Sequence, residues 1–131
     1  LNGAKLGKTT LLNTSFKQAQ LANSKMVEAD ASESVFAGVD FSHATLTQAV
    51  FKNTDLSKAN FSTADLKGTN LSGANLEQAD FTGANLEGAN LTGAMLNNAI
   101  FSGANLSRAN LTDTNLEGTN LTPEQLSSAI Q

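Results

Sequence analysis

The chain contains no cysteine, no tryptophan and no tyrosine, and only one proline and one histidine. Without cysteine there is no disulfide, no zinc-thiolate centre and no thiol nucleophile, and the redox compartment leaves no mark. No stretch approaches the roughly 18 apolar residues that a membrane-crossing helix needs, and nothing at the start reads as a signal peptide. Charge of one sign is scarce as well: twelve acids stand against eight bases in 131 residues, a formal net charge of -4. That balance offers no basic patch to a nucleic acid. The expected partner is therefore a protein, with no direct nucleic acid, no membrane and no cofactor. The length is that of one domain. Because the chain opens on Leu1 without a methionine, it reads as a processed or excised piece.

What is present is a period. Counting by fives from Leu1, every position to Leu121 is Leu, Phe or Met, with one exception at Ala31, and all seven phenylalanines fall on this grid. Two residues before each of these centres, from Ala4 to Thr119, stands a small residue: Ala fifteen times, Thr six, Ser two and Val once. A helix cannot use such a pattern, since five residues advance roughly 140° beyond a full turn and would spread the leucines over every face. A continuous strand fails too, because a step of five flips the side chain to the other face. Within the repeat, Ala79 and Phe81 are two apart and point the same way in an extended segment, whereas Phe81 and Ala84 are three apart. If all three point inward, the chain must turn after Phe81.

The residues at the turn agree. Gly73, Gly83, Gly88, Gly93, Gly103 and Gly118 lie two past a centre, as do Asn13, Asn23, Asn53 and Asn98. A type II turn needs positive φ at its third residue, where glycine is free and asparagine tolerated. Four such corners would close a square coil of about twenty residues. The phenylalanines test this separately: Phe41, Phe61, Phe81 and Phe101 are spaced by twenty, as are Phe16 and Phe36. Stacked coils would set those rings in an interior ladder at the strand spacing of about 4.8 Å. A tube filled with Leu and Phe leaves no room for a small molecule inside.

The triplets Ala64-Asp65-Leu66, Ala79-Asp80-Phe81 and Ala84-Asn85-Leu86 carry the motif A-[DN]-[LF]-x-x, which resembles the pentapeptide-repeat family over residues 1 to 121. The resemblance implies an all-β fold, a right-handed four-sided parallel β-helix, here of about six coils. Two segments are expected: a β-solenoid over 1–121 and a short C-terminal capping helix over 122–131.

Early coils depart from the motif, with Lys5, Lys25, Val35 and Val50 where Asn or Asp is usual. Ala31 leaves a gap in its column between Leu11 and Phe51, which Met26, Phe36 and Val39 are expected to fill. At the far end Thr122, Pro123 and Gln125 have the order of an N-cap, a first helical residue and a capping-box partner. The helix is expected to run through Ile130 and to lay Leu126, Ala129 and Ile130 over the last coil. Open coil ends invite pairing, so a homodimer through a chain end is an alternative use of that face. The N-terminal end shows no such device; either a preceding segment covers it or it self-associates.

Catalysis has little to work with. His43 sits alone at an outward corner, without a second base or a ligand cluster. Leu6-Gly7-Lys8-Thr9 has the ending of a phosphate loop, but Asn2 occupies the place of the required earlier glycine. The Asn-x-Ser/Thr triplets at Asn13, Asn60, Asn70, Asn90, Asn105, Asn110 and Asn120 are by-products of the repeat. No catalytic, metal or cofactor-binding residue is assigned. The compartment stays open between the cytoplasm as default and the periplasm or thylakoid lumen. The expected function is a non-enzymatic, rigid protein-interaction or scaffold module, with Met95 and Ile100 as the candidate partner-binding pair because both place an apolar side chain outward where Asn is the norm. The alternative is the role that the resemblance implies for some family members, mimicry of DNA that binds DNA gyrase or topoisomerase. Such mimicry needs a dense row of acids. Charges assigned to the four faces sum to between -2 and +2 each, and no face is an acid wall.

Overall fold

A computed structural model describes all 131 residues. Each repeat begins with a turn. After Leu76, Glu77 and Gln78 occupy the middle of a β-turn that closes when the Ala79 N–H donates to the Leu76 carbonyl at 3.0 Å. The third residue of every turn has positive φ, between 53° and 72°, while the residue ahead of it never does, which is the type II pattern. The left-handed place is wider than glycine and asparagine: Lys8, Glu28, Thr63 and Arg108 adopt it too. It costs an L-residue roughly 1–2 kcal/mol, so the repeated ladder, and not local preference, holds these residues there.

The turns leave one residue per repeat to pair with its neighbours. The all-β character therefore takes the form of isolated parallel bridges and not of strands. Every bridge joins residues twenty apart, as in Lys5 to Lys25, Asn60 to Asp80 and Met95 to Asn115. The bridges form four columns, which begin at Lys5, Thr10, Ser15 and Gln20. Three backbone bonds per repeat tie one coil to the next. The Phe81 N–H donates to Ile100 O at 2.8 Å, the Gly83 N–H to Ser102 O at 2.8 Å, and the Asp80 N–H to Ala59 O at 2.9 Å. Contacts at a fixed separation make stability a sum of neighbour interfaces.

The centres and the small residues form one buried core that runs from Leu21 to Leu111. Its axis holds the aromatic ladder. Phe41 and Phe61 stack with ring centroids 5.6 Å apart, and the steps from Phe61 to Phe81 and from Phe81 to Phe101 are 5.0 Å each. Phe16 and Phe36 stack at 4.9 Å. Near Ala31 the order changes: Phe36 tilts by 31° against Phe41 and meets the Phe51 ring edge-on at 85°, both with centroids under 6 Å apart. Buried hydroxyls at the small position bond backward, as when Thr69 Oγ1 donates to Leu46 O at 2.9 Å and Thr54 Oγ1 to Ala31 O at 3.0 Å. Ser24 Oγ, at the same place, has no partner.

At Asn120 the chain leaves the ladder. Its side chain accepts from the Phe101 N–H at 2.6 Å in place of its backbone carbonyl. Helix α1 follows over Pro123–Ser128, with the Thr122 cap and Gln125 partner in a complete capping box. Gln125 has a second task, because its Nε2 donates to Phe101 O at 2.7 Å and to Ala104 O at 3.0 Å, carbonyls that the departing chain no longer covers. Two expectations need correction. The helix stops at Ser128, short of Ile130: Ala129 is extended, and Ile130 rejoins the second column by bridging Asn110. In that position Ile130 points to solvent instead of onto the core, leaving Leu126 and Ala129 as the apolar cover. The capping segment 122–131 is thus a helix followed by a returning bridge residue.

Candidate docking surface

The Asn or Asp ahead of each centre has a local duty. Its Oδ1 accepts the N–H two residues on, as Asn70 does from Ser72 at 3.0 Å and Asp80 from Thr82 at 2.8 Å. This caps the first amide of the turn. Met95 and Ile100 keep their places in the ladder, donating to Ala74 O at 3.0 Å and Ala79 O at 2.9 Å. They cannot cap, so the Asn97 and Ser102 amides have no acceptor within the chain. Met95 is 44% exposed and Ile100 43%, on adjacent columns of one coil. The other sequence-selected residues, Phe41, Phe61, Phe81 and Phe101, are wholly buried and serve the core.

Charge is divided along the axis, which whole-face sums concealed. Residues 1–59 carry five acids against six cations, net +1, and residues 60–131 carry seven acids against two cations, net -5. Both of those later cations meet one acid: Lys67 Nζ lies 3.4 Å from Glu87, and Arg108 hydrogen-bonds the same carboxylate. The Arg108 hydrogen bond, then that from Lys67, lowers the Glu87 pKa. A depressed carboxyl pKa adds stability above the unfolded value that is lost as pH falls through the folded one; here full exposure keeps the effect small. Glu77, Asp80, Asp113 and Glu117 have no ion-pair partner.

No bridged pair contains two acids. Asn60, placed between Asp40 and Asp80, donates from Nδ2 to Asp40 at 3.3 Å. Replacing Asn60 by Asp removes that donor and stacks three carboxylates. We expect a loss of about 1–3 kcal/mol at neutral pH. Repulsion raises the folded pKa of the new carboxyl, so the penalty is absent below the unfolded value and appears as pH rises. Thermal melts at pH 4 and pH 7 test this, and a gap from wild type that fails to widen at pH 7 refutes it. The same interleaving denies the surface a continuous acid row of the kind that duplex mimicry requires.

Other chemistry is sparse. Exposed His43 meets Thr63 Oγ1 at 2.5 Å through Nδ1. No group of acids or histidines has a metal-holding arrangement, and no helix is long and apolar enough to cross a membrane. Lys8 occupies a turn and is followed by another repeat, not by a helix. A shallow notch of about 330 Å³ opens over Gly38, flanked by Lys17, Asp55 and Lys58.

The family profile described as pentapeptide repeats (8 copies) matches this chain in overlapping stretches that together span residues 1–122. The chain belongs to the pentapeptide repeat family. A crystal structure of a pentapeptide repeat protein, Rfr23 from the cyanobacterium Cyanothece 51142, is similar at 29% identity over 98% of this chain and 88% of that one, with a TM-score of 0.53. A pentapeptide repeat protein from Nostoc Pcc 7120 is 32% identical over 70% of this chain and 83% of that one, with a TM-score of 0.57. QnrB1, a plasmid-mediated fluoroquinolone resistance protein, is 18% identical over 96% of this chain and 88% of that one, with a TM-score of 0.33. At that distance the pentapeptide repeat is all the two share. Among curated proteins none matches the sequence.

Proposed function

We propose that this pentapeptide repeat protein is a non-enzymatic docking module, a right-handed, four-sided β-helix of about six coils that presents its outer faces to a protein partner. The observation that carries the reading is the exposed pair Met95 and Ile100 on adjacent columns. Both positions forgo a turn cap that asparagine would supply, a local cost that folding alone gives no reason to accept. An apolar pair on a rigid surface is the usual seat of an interface anchor. The closed, filled axis supports docking outside over binding within.

The double substitution Met95→Asn and Ile100→Asn restores both caps. Its melting temperature should equal or slightly exceed that of the wild type. Quantitative affinity capture should show a partner retained by the wild type and by a Lys52→Ser control but released by the double variant. Equal recovery on all three would discard the pair as a docking site.

A further inference from the structure

The faces around the exposed pair have a character of their own. Directly beneath Ile100 in its column stands Asp80, and Met95 is bridged below by Asn75 and above by Asn115. Glu77 and Glu117 share one corner column with Asn97 between them, at separations of twenty, and Asp113 lies in the turn that leads to Asn115. Glu77, Asp113 and Glu117 are exposed and Asp80 is half-buried. None of the four has a cation within the chain. Past residue 60 only Lys67 and Arg108 are positive, and both are committed to Glu87 at another corner. Apolar centre, acidic rim and two amides without acceptors therefore fall on the same two faces.

Resting on the docking reading above, we propose that this surface receives a basic segment of a protein partner. Its apolar side chains cover Met95 and Ile100, its lysines or arginines meet Glu77, Asp80, Asp113 and Glu117, and its carbonyl oxygens take up the Asn97 and Ser102 amides. Complementary charge speeds and orients such an encounter, whereas the apolar anchors hold it. An acidic segment would meet unscreened repulsion from four carboxylates. A second copy of this chain is a poorer fit, because residues 60–131 of that copy bring the same net charge of -5.

The test uses three synthetic 18-residue peptides against the isotope-labelled protein, followed by amide chemical shifts. One peptide carries lysines with leucines on a single helical face; the second replaces lysine by glutamate, and the third replaces leucine by serine. The lysine-leucine peptide should shift amides in residues 75–80, 95–103 and 113–120 and bind at least tenfold more tightly than either other peptide. Binding should weaken several-fold between 50 and 300 mM salt. It should fall about tenfold in Met95→Asn with Ile100→Asn, and similarly in the fourfold variant Glu77→Gln, Asp80→Asn, Asp113→Asn, Glu117→Gln, with melting temperatures retained. If the glutamate peptide moves the same amides as strongly, the basic partner is wrong and the docking pair survives. If no peptide moves the Met95 and Ile100 amides, this inference and the docking reading fall together.

Discussion

Truncating Phe61 to alanine is expected to cost about 3–5 kcal/mol of stability. The ring is wholly buried and stacks on Phe41 at 5.6 Å and on Phe81 at 5.0 Å. Removing it opens a cavity at the middle of the axis, where the surrounding backbone is pinned by bonds to the coils on both sides. The walls can therefore collapse little, and the lost contacts are not regained. Phe16→Ala serves as the contrast, because Phe16 stacks on Phe36 at 4.9 Å but is only partly buried in the first coil. It should cost clearly less. Because contacts join neighbouring coils only, the Phe61 variant should also unfold over a broader urea range as the two flanking stretches lose their coupling. A loss below about 1 kcal/mol would show that the rings add little beyond filling space.

Enlarging Ala31 to leucine is the second large effect, and its direction is downward. A column that places Ala31 between Leu11 and Phe51 has room for three more carbons by sequence count alone. In the structure Ala31 is wholly buried, and the tilted Phe36 with the edge-on Phe51 ring closes on that space. The Ser34 hydroxyl knits the same region, donating to Leu11 O at 2.7 Å and accepting from the Thr14 N–H at 3.0 Å. The added bulk should force these rings off their positions and cost about 1–3 kcal/mol. A rise in melting temperature would instead reveal an unfilled void beside Ala31.

The stacking period was legible because burial inside a narrow coil admits only one kind of side chain at each fifth residue, and Phe41, Phe61, Phe81 and Phe101 marked the repeat of twenty. Turn chemistry was legible only in part. Gly83 advertises positive φ, but Thr63 and Lys8 share it because the inter-coil ladder, a tertiary effect, overrides their own preference. Family resemblance pointed to a β fold, yet single-residue bridges follow from turns that consume most of each repeat. The helix end was misjudged at Ile130: the 3.6-residue pattern of Leu126, Ala129 and Ile130 suits a helix, whereas the open edge at Asn110 captures Ile130 as a bridge. Met95 and Ile100 stood out by breaking a rule, while their acidic surroundings appear only when charge is followed along the axis. The second role of Gln125 had no signal, since the carbonyls that it covers lie more than twenty residues away in sequence.

The register of twenty means that this chain counts length in two currencies. Gaining or losing twenty residues adds or removes a storey and leaves every façade facing its old direction. Gaining or losing five keeps the masonry sound but swings everything downstream round to the next wall, so that Met95 would come to stand above the lysine column that starts at Lys5 or the threonine column that starts at Thr10. Lineages of such proteins can thus grow taller without redrawing what they show to the world, or redirect it wholesale with a change of five letters.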